Sequence, residues 1–266
     1  MGRLLSYSGI STKIRAMQSK LISESEIQEM LQFTSVSHAA AWLKRTPEYA
    51  KAWADLDENS LHRGQIEKLL KASIFKDFSK IYQFANPEQR KFLDLYSRRY
   101  EIRVLKEIMT NLFDHKSTDA VDVSPYCDFF RRHSKLDLDR LTACTTMDEF
   151  INTLKGNEFY VPLSRIQNHD TALLFDYGMA LDLYYFSMIW NVRKKLFSGK
   201  DLEQITTAYG EKFDMLNLQF ISRSKRYFSM APADIYALLI PMNYKLKKEE
   251  ITALVEASTR EEAQQI

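Results

Sequence analysis

The chain carries the stretch YSRRYEIRVLKEI at residues 96–108 and a related stretch, YGEKFDMLNLQFI, at residues 209–221. In this register, with 113 residues from one stretch to the other, residues of the same character fall opposite one another. The matched pairs are Tyr96 with Tyr209, Arg99 with Lys212, Tyr100 with Phe213, Glu101 with Asp214, Leu105 with Leu218 and Ile108 with Ile221. Agreement of charge, aromatic and apolar character over one register predicts an internal helical repeat. Its period is longer than those of common solenoids, which favours a few repeated helical domains.

A long amphipathic helix precedes the first stretch. Its apolar residues recur at a spacing of three and four along one helical face: Ile66, Leu69, Leu70, Ile74, Phe78 and Ile81. Asn86 followed by Pro87 predicts the N-cap and first turn of the next helix, which we expect to run to about Leu112. The short connection between the two helices predicts an antiparallel hairpin.

A second hairpin is predicted around the second stretch. Its first helix would run from Thr171 to about Phe197, and its second from Leu202 to about Arg226. The turn between them is SGKD at residues 198–201, where glycine and aspartate favour a break in the helix.

Short helical segments separate the hairpins. Ser23-x-x-Glu26 and Thr146-x-x-Glu149 fit the capping box that opens a helix. The segments at residues 31–43, 142–154 and 254–266 resemble one another at steps of 111 and 112 residues. We therefore expect the same short-helix unit to recur three times.

These patterns together predict an all-α fold in which two long helical hairpins alternate with short-helix segments, as a pseudo-threefold repeat with the third copy incomplete. The predicted domains are residues 1–56, 57–165 and 166–266. The order of elements calls for a third hairpin after Ile266, so we expect a truncated chain or one that lacks its last hairpin.

Composition limits the class of protein. The 266 residues include 37 basic and 35 acidic side chains, a net charge of +2, with 45% hydrophobic residues. This balance is typical of a soluble globular protein and argues against a histone-like electrostatic binder. The most apolar long stretch, residues 173–190, contains Asp176 and Asp182, which argues against a membrane-spanning helix. Two cysteines cannot build a disulfide framework, so we expect a reducing, cytoplasmic location.

Motifs for catalysis, nucleotide binding or metal binding are absent from the sequence. It contains no glycine-rich phosphate loop, no metal-binding pair of histidines or cysteines, and no nucleophile elbow. His133, after two arginines, is interpreted as a solvated helix end. Asp176 and Asp182, six residues apart, would lie on different helix faces. No catalytic residue, cofactor or metal is therefore predicted.

Basic clusters are the remaining candidates for a functional surface. They are Arg98-Arg99, Arg131-Arg132 and Arg223-x-Lys225-Arg226. The balanced net charge favours solvated or partner-facing surface over contacts to nucleic-acid phosphates.

Four stretches resemble a known family, the central-stalk C subunits of archaeal and bacterial A/V-type ATPases, whose counterpart in eukaryotic V-type ATPases is the d subunit. They are YSGISTKIRAMQSKLI (7–22), LKRTPEY (43–49), FLDLYSRRYEIRVLK (92–106) and the region from Gly210 to Tyr244. The last region has the fullest match, with Phe213-Asp214-x-x-Asn217-Leu218, Arg223-x-Lys225 and Leu239-Ile240-Pro241-x-x-Tyr244. The first repeat copy departs from it, with Glu101 and Val104 in place of Asp214 and Asn217.

The resemblance implies an all-helical, funnel-shaped protein of three similar domains that performs no chemistry itself. Such a protein lies on the cytoplasmic face of the membrane proteolipid ring, holds the foot of the central shaft and transmits torque for proton or sodium transport. The implied partners are these ring and shaft subunits, without nucleic acid or membrane insertion. We expect Arg98, Arg99, Arg223 and Lys225 to lie nearer a partner surface than the core.

Two alternatives stay open from the residues themselves. A helical nucleic-acid-binding module or other interaction scaffold would use the arginine pairs and tyrosine faces. A helical enzyme would assemble its site from scattered residues that no local motif reveals.

Overall fold

A computed structural model describes residues 2–114, 123, 126–167, 172–257 and 262. Within these ranges the regular structure is helical and contains no strand. In chain order the helices are α1 (Gly2–Gln18), α2 (Glu24–Met30), α3 (Val36–Arg45), α4 (Ala50–Trp53), α5 (Arg63–Phe84), α6 (Pro87–Phe113), α7 (Cys127–His133), α8 (Leu138–Thr142), α9 (Met147–Thr153), α10 (Tyr160–Gln167), α11 (Leu174–Leu196), α12 (Gly199–Arg223), α13 (Pro232–Leu238) and α14 (Lys248–Glu256). The predicted all-α class is therefore confirmed.

The four long helices, α5, α6, α11 and α12, lie where the apolar periodicity predicts them. The N-cap of α6 is also confirmed. The backbone N–H of Gln89 donates to Asn86 Oδ1 at 2.9 Å, and the N–H of Asn86 donates back to Gln89 Oε1 at 3.0 Å. These reciprocal bonds satisfy two backbone donors that the start of a helix leaves without partners.

The second long pair differs from its predicted bounds at two places. Helix α12 begins at Gly199, three residues before the predicted Leu202, because most of the expected turn joins the helix. Its regular α-helical part ends at Arg223, where a π-helical turn, Ser224–Phe228, replaces the continuous α-helix expected to Arg226. Helices α11 and α12 contact each other, as a hairpin requires.

The short helices carry the predicted caps, with one correction. At α2 the capping box is complete, since Glu26 N–H donates to Ser23 Oγ and Ser23 N–H donates to Glu26 Oε2. At α9 the N–H of Glu149 donates to Thr146 Oγ1 at 3.2 Å, but the Glu149 carboxylate accepts from the N–H of Thr145 at 2.9 Å. The Glu149 carboxylate therefore accepts from the N–H one residue before the N-cap, and not from the N–H of Thr146 as the capping box predicts.

Contacts divide the chain into two compact units. Unit 1 comprises Met1–Asp94 and Asp119–Thr142, and unit 2 comprises Leu95–Thr118 and Ala143–Ile266. This division is based on contacts within the folded chain. The predicted boundaries at residues 56/57 and 165/166 are based on similarity between segments of the sequence. The three-domain repeat stays a prediction.

Unit 1 contains a cluster of aromatic side chains between α5 and α7. Phe75 packs edge-on against Phe129 with ring centroids 5.0 Å apart, and Phe78 approaches Phe129 at 5.3 Å. His133 joins this cluster, with its ring 4.4 Å from that of Tyr82. His133 is the last residue of α7, as interpreted, but its ring is half-buried against α5 and not fully solvated. The aromatic face of α7 packs on α5, and His133 at the end of α7 lies on this face.

The position of His133 predicts a pH-dependent stability. Burial lowers its pKa below the usual value of about 6.5, and the carboxylate of Asp94 offsets this only in part. Protonation then favours the unfolded chain, so we expect stability to be complete above about pH 6.5 and to fall as the pH drops through the lowered pKa.

Thermal unfolding between about pH 5 and pH 8 checks this expectation. His133→Phe keeps a ring in the cluster and removes the titrating group, so its melting temperature is expected to fall less on acidification than that of the unchanged chain. Parallel pH profiles for the two proteins would contradict the assignment.

Unit 2 is organised around the buried faces of α6, α9, α10, α11 and α12. Its fully buried side chains include Leu105, Ile108, Met109, Phe150, Ile151, Phe159, Leu163, Leu181 and Phe213. The two aspartates of α11 serve different ends: Asp176 Oδ2 accepts from the N–H of Leu173 at 2.8 Å, and Asp182 Oδ2 lies 2.6 Å from Lys106 Nζ. Their predicted separation on the helix is confirmed.

Candidate functional site

The two related stretches occupy α6 and α12, and four positions of their shared register are buried in both helices. The buried pairs are Ser97 with Gly210, Glu101 with Asp214, Val104 with Asn217, and Ile108 with Ile221. Other positions of the register differ, since Ile102 is buried whereas Met215 is 55% exposed, and the repeat stays a prediction. The polar members of these pairs call for partners, because a buried charge or amide is costly unless it is hydrogen-bonded.

The hydrogen-bond partners of Asp214 are backbone groups of residues 244–246, which follow α13. Its carboxylate accepts from the N–H groups of Tyr244, Lys245 and Leu246 at 3.1, 2.6 and 3.0 Å. Three donors on one carboxylate form a compact anchor, since hydrogen bonds to a charged acceptor are stronger than neutral ones.

Asn217, one turn further along α12, fixes the start of the same segment. Its Nδ2 donates to the carbonyl of Ile240 at 3.0 Å, and its Oδ1 accepts from the N–H of Ile240 at 2.9 Å. We call Asp214, Asn217 and residues 240–246 the clasp. It holds an irregular segment to α12 through the backbone atoms of Ile240, Tyr244, Lys245 and Leu246.

Gly210 completes the clasp by allowing close approach. A Cβ at this position would collide with Cγ of Tyr244, so only glycine fits here without a shift of the tyrosine. The Tyr244 hydroxyl lies 2.9 Å from Thr207 Oγ1 on the same helix. Tyr244 therefore lies across α12 over a glycine. Asp214, Asn217, Ile240 and Tyr244, which all lie in the region from Gly210 to Tyr244, form one structural feature.

Just beyond the clasp, the π-helical turn Ser224–Phe228 exposes two adjacent aromatic side chains. Tyr227 is 61% exposed and Phe228 is 71% exposed. The guanidinium of Arg226 lies 5.0 Å from the ring of Tyr227, within cation–π distance. We call this turn, with the flanking Arg223, the aromatic turn. Exposed aromatic and arginine side chains together are typical of the energetic centre of protein interfaces.

The backbone around the aromatic turn is irregular but anchored. Ser224 is buried, and its carbonyl accepts from the N–H of Met230 at 3.3 Å. Ser229 has a positive φ of 48°, a conformation that is uncommon for residues other than glycine. Lys225 Nζ donates to the carbonyl of Ala257 at 2.5 Å, which ties the turn to the end of α14. π-turns and such backbone outliers are frequent at functional sites.

A second surface feature is a tyrosine–cation patch made by Tyr96, Arg99, Tyr100, Tyr209 and Lys212. The guanidinium of Arg99 lies 5.1 and 5.7 Å from the rings of Tyr96 and Tyr100, and its Nη1 donates to Tyr96 Oη at 2.7 Å. Lys212 Nζ lies 5.9 Å from the ring of Tyr209. Two equivalent positions of the predicted repeat, 99 and 212, thus present cations over tyrosine rings.

Burial and neighbouring charges shift the pKa values of side chains in the patch. Burial and the nearby Arg99 lower the pKa of Lys212. Burial raises the pKa of Tyr209 to about 12. Burial also raises the pKa of Tyr100, so Tyr100 and Tyr209 stay neutral hydrogen-bonding groups at physiological pH, and the charge of the patch comes from its cations. An anionic or π-rich partner surface would complement it.

The four arginine and lysine positions expected near a partner surface have different environments. Arg99 and Arg223 are exposed, and Lys225 is half-buried with its ammonium bound to Ala257. Arg98 turns inward instead: its Nη1 lies 3.1 Å from Glu101 Oε1, and its Nε lies 2.7 Å from Glu158 Oε1.

Clusters of metal-ligating side chains and membrane-spanning helices are both absent from the described ranges. The residues that the structure describes contain no group of three or more His, Cys, Asp or Glu side chains arranged to hold a metal ion. In that same part of the chain, every helix is too short or too polar to cross a bilayer.

Comparison with known proteins gives a consistent result. The family model described as ATP synthase (C/AC39) subunit matches residues 10–266. The A-type ATP synthase C subunit of Methanocaldococcus jannaschii is 22% identical over 225 residues, which are 84% of this chain and 55% of that protein. The same-named subunits of Methanosarcina mazei and Methanobrevibacter smithii are 23% and 22% identical, over 93% of this chain and 67% and 62% of theirs. The chain thus spans between 55% and 67% of the length of these three relatives.

Proposed function

We propose, since the chain belongs to the ATP synthase (C/AC39) subunit family, that it is a non-catalytic adaptor of a rotary ATPase. In this role it links the membrane proteolipid ring to the central shaft and transmits torque for ATP-coupled proton or sodium transport. It would be peripheral to the membrane on the cytoplasmic side, held there by the complex. The observation that carries the proposal is the family match over residues 10–266.

The construction of unit 2 supports a mechanical role. An adaptor that passes torque must move as a solid body, because soft segments between its contacts would absorb the rotation as strain. The clasp meets this demand at α12: five hydrogen bonds from Asp214 and Asn217 hold residues 240–246 to the helix. The fully buried side chains of unit 2 add a close-packed interior, which transmits strain with little compression.

We assign the contacts with partner subunits to the aromatic turn and to the tyrosine–cation patch. This assignment includes Arg223, Lys225 and Arg99 of the expected set. Arg98 contributes indirectly, by fixing the part of α6 that carries Arg99. Aromatic and arginine side chains supply contact area and directed hydrogen bonds without insertion into lipid.

The coupling of an assembled rotary ATPase tests the proposal. Removal of this chain is expected to abolish ATP-driven ion pumping while the detached catalytic head still hydrolyses ATP. Add-back of the purified chain should restore pumping. Intact coupling without the chain would contradict the adaptor role.

The aromatic turn gives a sharper expectation. The double variant Tyr227→Ala/Phe228→Ala is expected to weaken binding to purified shaft or ring subunits by at least about 30-fold, equivalent to about 2 kcal/mol. Both side chains are largely exposed, so the melting temperature should change little.

Phe175→Ala is the matched control for that variant, because Phe175 is an exposed aromatic residue of α11 outside the turn. Biolayer interferometry with immobilised partner subunits measures both affinities. An equal loss for the control and the double variant would remove the turn from the interface.

A further inference from the structure

The tyrosine–cation patch of unit 2 has a third cation at its edge. Arg103 lies one helical turn beyond Arg99 on α6, on the same side of the helix, and its charge acts on the phenol of Tyr100. Arg99, Arg103 and Lys212 are all exposed. Burial and the charge of Arg99 lower the pKa of Lys212, so the cations of α6 and α12 lie near each other. Three positive charges therefore meet on one surface.

These three cations lack a carboxylate partner within the part of the chain that the structure describes. Neither Arg99, Arg103 nor Lys212 forms an ion pair there. Three other basic residues of unit 2 are paired with an acidic residue: Arg98 with Glu101, Lys106 with Asp182 and Lys245 with Glu211. At the patch, by contrast, like charges face one another, and a binding partner that brings negative charge would relieve their repulsion.

The tyrosine rings hold two of the cations in place. Arg99 lies 5.1 Å from the ring of Tyr96 and donates to its hydroxyl at 2.7 Å. Lys212 Nζ lies 5.9 Å from the ring of Tyr209, which is buried and interacts with the buried phenol of Tyr185. A side chain that is already held loses less conformational entropy on binding, so the patch is preorganised for contact.

The arrangement of the rings favours protein carboxylates over nucleic acid. Tyr96 and Tyr100 pack edge to face with centroids 6.2 Å apart, and the guanidinium of Arg99 lies over both rings. Rings that are covered by a cation or buried are poorly placed to stack on bases. The net charge of +2 also gives the chain little of the broad positive field that binds phosphate backbones. Guanidinium and ammonium groups form strong, charge-assisted hydrogen bonds with carboxylates.

We infer that the tyrosine–cation patch, together with Arg103, binds an acidic segment of a partner protein, whose aspartate or glutamate carboxylates pair with Arg99, Arg103 and Lys212. The inference rests on the proposed function in one respect, since it takes the partner to be a shaft or ring subunit of the rotary ATPase. It adds the chemistry by which this surface recognises that subunit.

Neutralisation of the three cations tests the inference with purified partners. Arg99→Gln/Arg103→Gln/Lys212→Gln is expected to weaken binding to the shaft subunits or to the detergent-solubilised ring at least roughly tenfold, as measured by biolayer interferometry. The control Lys194→Gln/Lys195→Gln/Lys200→Gln removes the same charge from exposed lysines of unit 2 and should change affinity little. Equal effects of the two triple variants would overturn the inference.

Salt dependence gives a readout that loss of folding would not reproduce. Between about 50 and 500 mM salt, the affinity of the unchanged chain is expected to fall at least roughly tenfold, and that of the patch variant by about threefold or less. Thermal unfolding verifies that the variant is folded, as its three positions are exposed. Parallel salt profiles for the two proteins would contradict pairing between these cations and carboxylates.

Two labelled peptides probe the patch without any ATPase subunit. One consists of repeating glutamate and glycine residues, and the other has glutamine in place of glutamate. Fluorescence anisotropy with the 266-residue chain is expected to show saturable binding of the glutamate peptide and at least roughly tenfold weaker binding of its glutamine counterpart. A labelled DNA duplex is the third probe. Tighter binding of the duplex than of the glutamate peptide, lost in the patch variant, would overturn the inference in favour of nucleic acid.

The results separate this inference from the adaptor role. If the unchanged chain binds shaft or ring subunits and the patch variant binds them equally well, the inference fails and the adaptor role stands. If the chain binds neither subunit but the patch still selects the glutamate peptide, the adaptor role fails and the preference of the patch for carboxylates stands.

Discussion

Asp214→Ala is expected to lower the free energy of unfolding of unit 2 by about 2–4 kcal/mol, because it leaves three backbone N–H groups without their acceptor. The loss does not reach the full cost of three buried donors, since Lys245 is exposed and water can reach part of the segment. Residues 240–246 should then separate from α12 before the helices of unit 2 unfold.

Urea unfolding measures the size of the effect, and limited proteolysis between residues 239 and 247 reports whether the segment is released. Asp214→Asn retains one acceptor oxygen and should cost less than the alanine variant. The matched control is Glu211→Ala on the same helix, which removes an exposed ion pair to Lys245 at 2.6 Å. Exposed pairs contribute about 1 kcal/mol or less. A loss for Asp214→Ala no larger than that of the control would refute the clasp as an energetic anchor.

The long helices could be predicted because their information is local. Apolar residues spaced three and four apart define a helix face, and Asn86 with Pro87 marks a helix start, so neither needs knowledge of distant residues. The clasp could not be predicted in this way. Asp214 and Tyr244 are 30 positions apart, and only the folded chain brings the carboxylate to the backbone of the later segment.

The aromatic turn was missed for a different reason. Residues 224–228 contain neither glycine nor proline, so no helix-breaking residue in the sequence indicates that the α-helix is interrupted there. The interruption arises from the bond between Met230 N–H and the carbonyl of Ser224, together with the left-handed Ser229. The exposed Tyr227-Phe228 pair was the available signal, because two large aromatic residues after a basic cluster suit an interface better than a helix interior.

Arg98 and Arg99 are adjacent in the sequence, but the helix places their side chains in different environments. Successive residues of an α-helix point about 100° apart, so two neighbouring arginines can lie in different environments. The spacing of Arg98 and Glu101, three residues apart, already allows an ion pair within the helix. What spacing could not show is that Glu101 is buried and that Glu158 from another segment completes the network.

Arg98→Ala is therefore expected to be the second strongly destabilising change, with a loss of about 2–4 kcal/mol in the free energy of unfolding of unit 2. Glu101 is only 2% exposed, and removal of Arg98 leaves its carboxylate without this ion partner in the interior. Glu158 also loses a charged contact, although it still accepts from the Tyr184 hydroxyl at 2.8 Å. The Arg98 side chain is 20% exposed, so solvent screening keeps the effect below that of a fully buried pair.

Arg99→Ala provides the comparison within the same helix, because Arg99 is exposed and interacts with Tyr96 and Tyr100 at the surface. We expect it to cost about 0.5–1 kcal/mol in stability and to weaken partner binding, the reverse of the pattern for Arg98→Ala. A double-mutant cycle with Glu101→Gln isolates the interior ion pair, since the loss from Arg98→Ala should shrink once the carboxylate is neutral. If Arg98→Ala unfolds at the same urea concentration as Arg99→Ala and instead loses partner affinity, Arg98 belongs to the interface and its contacts to Glu101 and Glu158 are incidental to stability.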